Sequence, residues 1–416
     1  MKFWRVTVTP TPVAAPLELP CGTTLKNRLV KASTSEGLAT PSGGPSNQHL
    51  DLYRRWAHGG SGLVVTGGVM VDSEHRGEPG SVVATDDRHL DMLRSWATAG
   101  TVNDTHLWMQ LNHPGKQSPR SINKYPVAPS AVPMAGRIGR YFADPRELTV
   151  SDIDLIVWRF AYTALIARET GFTGVQIQAG HGYLINQFLS PADNLRTDEY
   201  GGDLEGRMRL LTEVYRAVRK KVGDDFPVSV RINASDGVSG GFGEEESLRV
   251  AQKLAELGVD VIEVSGGTYA APLMLGDEVD ATGDTGEIFF GDQARRIREA
   301  VDVPVLVTGG FRCAADVEKG LDDGLGDLIG MARPMVLIPE LANEIIVHGD
   351  RERVRLPRLT THIGSLDEHA ESLVGVAWYE MQMDRITDGR AIGGDGLAAL
   401  WFAAKRHGVR AMFPQR

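Results

Sequence analysis

Short runs of β-branched and aliphatic residues alternate along the chain with longer stretches whose apolar positions recur every three or four residues. The runs fall at 29–36 (LVKASTSE), 61–71 (SGLVVTGGVMV), 105–112 (THLWMQLN) and 174–182 (GVQIQAGHG). Four more follow at 228–236 (VSVRINASD), 259–268 (VDVIEVSGGT), 303–310 (VPVLVTGG) and 326–333 (GDLIGMAR). They lack the polar alternation of a half-exposed strand, so each reads as a strand buried on both faces. The clearest helix spans 151–170, with Ile153, Ile156, Val157, Phe160, Ala164 and Ala167 on one stripe. Ser151 and Asp154 stand in capping-box register at its start and Gly171 ends it. The stretches 204–222, 244–257 and 290–300 repeat the scheme, each followed by Gly or Pro and then a strand.

Eight strands alternating with helices predict an α/β fold with a parallel sheet, and eight is the number that closes a (β/α)8 barrel. A doubly wound open sheet competes, but no GxGxxG follows the first strand. Two connections, 113–150 after the third strand and 268–289 after the sixth, exceed the usual 2–6 residues and could cover a site. The repeat occupies residues 1–348. Residues 349–416 form a C-terminal extension expected to wrap the barrel or to make a subunit contact, as in a homo-oligomer.

Composition narrows the chemistry. Hydrophobic residues are 42% and charged residues 24% of 416, an ordinary globular balance without a membrane-length apolar run. The start, MKFWRVTVTPTPVAAP, lacks the basic and apolar blocks of a signal peptide. The 44 Lys and Arg against 54 Asp and Glu make a formal charge of -10, which disfavours nucleic acid as a partner. Only Cys21 and Cys313 are present, so a disulfide framework, a cysteine zinc site and a thiolate-held iron–sulfur cluster are excluded. No metal is expected, and a cytoplasmic location is. The 48 glycines cluster where helices end and strands stop, suggesting tight turns around a ligand.

Barrel chemistry sits at the carboxyl ends of the strands. There the sequence places Ser33, Thr34 and Ser35, the pair Gly67-Gly68, Gln110, Gln178 with His181 and Tyr183, Arg231, Gly266-Gly267, Gly309-Gly310 and Arg333. Gly309-Gly310 and the later Gly330-Met331-Ala332-Arg333 make the paired loops that bind phosphate in many barrels; the plain alternative is two turns and a surface cation. Gln110 either pairs with the donor/acceptor edge of a heterocycle or is a satisfied buried amide. Arg231, a cation ending a buried strand, requires an anion, supplied by a ligand or by a structural salt bridge.

The segment from Gln178 to Leu184 (QAGHGYL), continuing INQFLSPADNLRTDEYGG to Gly202, resembles the Old Yellow Enzyme family of FMN-dependent NAD(P)H:flavin oxidoreductases. LKNRLVKAS (25–33), WMQLNHPGK (108–116), PRELTVSDI (145–153), VRINASD (230–236) and VTGGFR (307–312) resemble it too, in family order. The resemblance implies a (β/α)8 barrel, FMN, and NAD(P)H as hydride donor. By it, Ala32, Ser33, Thr34 and Ser35 border the flavin ring, with Ser35 at a position that tunes its potential. Gly68 allows close approach of the ring, Gln110 bonds its pyrimidine edge, and Arg231 lies where charge develops on reduction and so finds its anion. Gly310, with Gly309, Ala332 and Arg333, holds the phosphate. Gln178 and His181 match the pair that binds a substrate carbonyl, and Tyr183 matches the proton donor.

The resemblance thus implies an ene-reductase: hydride from NAD(P)H passes through flavin N5 in a ping-pong cycle to the Cβ of an enone or enal. Three positions depart from the family pattern. Gln178 replaces the usual His, Lys31 replaces an apolar residue, and Gly37 replaces a bulky pocket side chain, which would enlarge the substrate site. Two other readings stand beside it: a flavin-free barrel enzyme acting on a phosphorylated metabolite, and a non-catalytic flavin-binding protein.

Overall fold

The computed structural model describes residues 12–273, 288–349 and 352–408. Eight parallel strands close into one barrel in chain order: β1 (Leu29–Lys31), β2 (Leu63–Met70), β3 (His106–Asn112), β4 (Gly174–Ala179), β5 (Val228–Asn233), β6 (Val261–Ser265), β7 (Val305–Thr308) and β8 (Leu328–Met331). All eight runs expected from the sequence are strands, and β8 returns to pair with β1. Nearly every strand residue is buried, as helices outside and packed side chains inside require. Among the described residues no helix is long and apolar enough to cross a membrane.

The outer layer begins with α1 (Asn47–His58), α2 (Leu90–Gly100) and α3 (Val150–Glu169), followed by the short α4 (Leu184–Leu189) and by α5 (Leu204–Val222). It continues through α6 (Glu244–Glu256), α7 (Gly291–Ala300), α8 (Ala314–Asp322), α9 (Arg333–Leu337) and α10 (Leu341–His348). Local sequence explains the ends. Asp203 caps α5 by accepting from the Gly206 N–H at 3.0 Å, and Gly223, at φ +79°, stops it after a basic last turn. The helix expected at 151–170 starts one residue earlier. Its capping box is Thr149 with Asp152, not Ser151 with Asp154. Both pairs have the right spacing; Thr149 is the one in extended conformation and so able to cap.

The extension beyond residue 351 contributes α11 (Gly364–Thr387) and α12 (Gly396–His407). Trp378, Met381 and Ala377 join the two helices in a small apolar cluster of their own. On its other side α11 meets α1 through the Gln48 amide, which donates to Asp384 at 2.9 Å and to Thr387 at 3.1 Å. The extension therefore lies on the barrel near the carboxyl ends of the strands. The amino ends are closed by an antiparallel pair, Leu17–Glu18 with Thr24–Leu25. Leu19 and Leu25 from that segment seal an apolar floor made with Val30, Leu63, Val65, Trp108, Val261, Leu306 and Leu328.

Candidate active site

Two residues further along the same strands the interior becomes polar. Trp108 gives way to Gln110, Val261 to Glu263 and Leu306 to Thr308, with side chains two apart sharing a face. The Gln110 Nε2 donates to Gln176 Oε1 at 2.8 Å and the Gln176 Nε2 donates to Glu263 Oε2 at 2.7 Å. Thr308 donates to the other Glu263 oxygen at 2.8 Å, and Arg231 Nε lies 3.4 Å from it. Every member is buried, so each bond is made in a medium where an unmade one would be costly.

Above this layer lies an open cavity of about 100 Å³. Ser33, Thr34, Ser35, Gly68, Gln110, Gln178, His181, Tyr183 and Arg231 all line it. Ala32 is buried just before them and bonds to β8, its N–H donating to Met331 O at 3.0 Å. Gly309, Gly310, Ala332 and Arg333 lie outside that lining, at the ends of β7 and β8 beside β1. Most of the connection after β6 lies outside the described residues, but its first part brings Tyr269 into the cavity.

Backbone conformation aims the central pair. His181 is left-handed at φ +58°, an uncommon state for a side-chain-bearing residue, and its N–H donates to Asn233 Oδ1 at 2.9 Å. The Arg231 Nη2 donates to Ser265 Oγ at 3.1 Å, and His181 Nε2 lies 3.0 Å from the same oxygen. With the Ser265 hydrogen directed at Nε2, the neutral imidazole carries its proton on Nδ1. Burial, reinforced by the Arg231 charge, holds His181 well below the ordinary histidine range, so it is neutral. Gln178 Nε2 stands 3.5 Å from that Nδ1. Two donors so spaced can both reach one oxygen at ordinary hydrogen-bond length.

Tyr183 caps the start of α4, and its Oη lies 3.1 Å from Tyr269 Oη. Burial raises the Tyr183 pKa above that of an ordinary phenol, so it holds its proton at neutral pH. Lys31 is fully buried against the Trp56 ring, donating to Ala32 O at 2.9 Å and Thr34 Oγ1 at 2.6 Å. Burial lowers its pKa to about 7, against the attraction of Glu36.

Two expectations change. Glu263, inside the protein, is an anion for Arg231, which is the salt-bridge side of the sequence alternative, and Arg231 also lines the cavity. And Gly37 does not enlarge the site. The Glu380 carboxyl of α11 fills the space before it, and a Cβ there would stand 2.9 Å from Glu380.

The residues fit FMN on three observations. Gly68 lines the cavity, and an added Cβ would stand 3.1 Å from the Asn112 side chain, a tight contact that glycine avoids. The buried Arg231 Nε and Gln178 Oε1 have no hydrogen-bond partner, leaving polar capacity for a ligand. At the other end, burial lowers the pKa of Arg333 and the neighbouring Arg312 charge adds to the effect, a convergence of cations that a phosphate would relieve.

Sequence reasoning missed Glu78, Tyr269, Arg312 and Glu380. Arg312 closes the VTGGFR segment and Tyr269 begins a long loop, which were usable signals. Asp72, His75 and His113 also come together closely enough to hold a metal ion, without any sequence motif. Arg159 already pairs with Asp72 there. Against burial, hydrogen bonds from His113 and His75 hold that carboxyl well below its usual range.

The family model for NADH:flavin oxidoreductase / NADH oxidase matches residues 13–351. The NADH-dependent flavin oxidoreductase iliE of Hypocrea jecorina (strain QM6a) is 38% identical over 355 residues, which is 80% of this chain and 88% of that protein. The iliE protein of Neonectria sp. (strain DH2) is 40% identical over 357 residues, 80% of this chain but 46% of its own length. The chain thus spans less than half of that relative. In fold, the old yellow enzyme homologue from Zymomonas mobilis superposes with a TM-score of 0.70 at 24% identity, over 84% of this chain and 98% of that one. With the matched segment spanning all eight strands and the cavity, the chain belongs to the NADH:flavin oxidoreductase / NADH oxidase family, that of Old Yellow Enzyme, with FMN as cofactor and NAD(P)H as reductant.

Proposed function

We propose that this chain is an ene-reductase, reducing the C=C bond of α,β-unsaturated carbonyl compounds with NAD(P)H in two half-reactions. The observation that carries this reading is the convergence of Gln178, His181 and Tyr183 on the cavity that Gly68, Gln110 and Arg231 also line. Ser33, Thr34, Ser35, Gly68, Gln110 and Arg231 would border the flavin ring, and Gly309, Gly310, Ala332 and Arg333 its phosphate. When bound, FMN supplies the hydride carrier between the two substrates.

The chain's own groups do the rest. Gln178 Nε2 and His181 Nδ1 donate to the substrate carbonyl oxygen, which gains negative charge as Cβ receives hydride. Donors placed beforehand therefore act more on the transition state than on the ground state. A neutral imidazole is weaker than an imidazolium, but it also avoids a second buried charge beside Arg231. Tyr183 gives its proton to Cα, and Tyr269 holds the phenol oxygen in place. A non-catalytic flavin-binding role would leave this donor set without a task.

The two half-reactions test the reading separately. Reduced enzyme mixed anaerobically with 2-cyclohexenone should return to the oxidised spectrum at a rate that rises with enone concentration. Gln178→Ala should slow that step by ~10²–10³, about 2.7–4 kcal/mol, while leaving reduction by NAD(P)H within a few-fold. Equal slowing of both steps, or of neither, contradicts the carbonyl-binding role.

A further inference from the structure

The matched family segment ends at residue 351, yet α11, well beyond it, sends a side chain to the cavity wall. Glu380 is 3% exposed, and Ser35 Oγ lies 3.0 Å from its Oε1. Ser35 Oγ also bonds Glu78 Oε2, so one hydroxyl bridges two carboxyl groups. A hydroxyl carries one hydrogen and can donate to only one of them at a time. The remaining contact needs a proton on a carboxyl. Burial, with the Glu380 charge next, raises Glu78 well above the ordinary carboxyl range, in accord with that count. Ser35 and Glu78 line the cavity, whereas Glu380 stands behind them. Its place is made by Gly37, which at φ +62° adopts a conformation disfavoured for side-chain-bearing residues and leaves the space the Glu380 carboxyl fills.

We propose that Glu380 is a positioning residue for substrate selection: through Ser35 and Glu78 it makes one wall of the cavity a hydrogen-bonding surface that favours substrates bearing a hydroxyl or amino group over hydrocarbon-substituted ones. With both hydrogens engaged between Ser35 and the two carboxyls, the wall offers acceptor oxygens, and a substrate hydroxyl or amino group can donate to them where a hydrocarbon substituent only displaces the water they would otherwise bind. Glu380 fixes this arrangement by holding Ser35, and after burial its charge is the next cause that keeps Glu78 protonated. Discrimination through buried polar groups exceeds what shape alone gives, because the wrong ligand strands them.

This inference rests on the ene-reductase reading for its substrate frame, so its test has a binding arm that needs no turnover. The dissociation constants of 4-hydroxycyclohexanone and 4-methylcyclohexanone, saturated and therefore unreactive, are measured on the oxidised FMN-loaded enzyme from the perturbation of its visible spectrum. The parent should favour the hydroxy ligand by about 10-fold. Glu380→Leu, which keeps bulk but cannot hold Ser35, should bring the ratio near one, and Glu380→Gln should retain most of it. With the corresponding enones the same change should fall on KM rather than kcat. If Glu380→Leu does not fold, Ser35→Ala replaces it in the binding arm alone, where the ratio should likewise fall near one. No preference in the parent, or a ratio unmoved by Glu380→Leu or Ser35→Ala, overturns the proposal. A clear binding preference with no enone turnover would instead leave Glu380 in this role and overturn the ene-reductase reading.

Discussion

The floor and the mouth of the barrel are made by the same strands and differ by two residues along each. At the floor, Trp108, Val261 and Leu306 join an apolar cluster completely screened from solvent. At the mouth, Gln110, Glu263 and Thr308 face the same interior through a chain of hydrogen bonds that centres on Glu263, with Arg231 paired to it at 3.4 Å. The floor contributes transfer free energy and tolerates any well-packed hydrocarbon. The mouth bears the desolvation of a carboxylate, a guanidinium and a lysine, and offsets it only through near-complete pairing. Stability and chemistry are thus separated along the barrel axis. The fold holds a costly polar layer because an inexpensive apolar one lies directly beneath it.

The sharpest way to break this contrast is one substitution in each layer. Glu263→Leu would leave Arg231 buried without its carboxylate and should cost about 3–5 kcal/mol of unfolding free energy. Leu306→Ala should cost about 2–5 kcal/mol, depending on how far the floor collapses, with activity per folded molecule retained. Urea denaturation with a parallel activity assay reads both. Comparable activity loss in the two variants would mean the layers are not separable.

The mouth side should also be sensitive to pH through its buried titratable groups. His49 is buried beside Glu36, and burial holds its imidazole down to about 3. Below its ordinary value near 6.5 the unfolded chain takes up a proton that the folded protein excludes. His49 therefore withdraws stability as pH falls, at about 1.4 kcal/mol per unit, through the window from about 6.5 to about 3. Relative to His49→Gln, which does not titrate, the parent should lose ground at that slope in denaturation series between pH 6.5 and 4.5. The cost of Leu306→Ala should stay constant over the same range. A flat His49 difference would mean that the imidazole is not neutral in the fold.

The contrast also explains what sequence could and could not reveal. Strands buried on both faces leave a continuous apolar signature, so all eight were legible, and the QAGHGYL segment marked Gln178, His181 and Tyr183 as cavity residues because they are close in sequence. The capping box of α3 was misplaced by two residues because Thr149/Asp152 and Ser151/Asp154 have the same spacing, and only backbone conformation separates them. Glu263 and Gln176 gave no signal, because a polar residue inside an apolar run does not reveal which neighbour across the barrel satisfies it. Glu380 was further out of reach. It lies 345 positions from Ser35, on a helix whose course no local pattern specifies. Gly37 was correctly seen as a missing side chain, but the group occupying the space came from the far end of the chain.

The central claim is that the mouth is an FMN site whose phosphate lies at the ends of β7 and β8. Equilibrium dialysis of FMN against the parent and Arg333→Ala tests it most directly. The parent should bind one FMN per chain, and Arg333→Ala should lose about 1.5–3 kcal/mol of charge-assisted hydrogen bonding, one to two decades of affinity. A folded Arg333→Ala protein that binds FMN as tightly as the parent, or a parent that binds none, would contradict it.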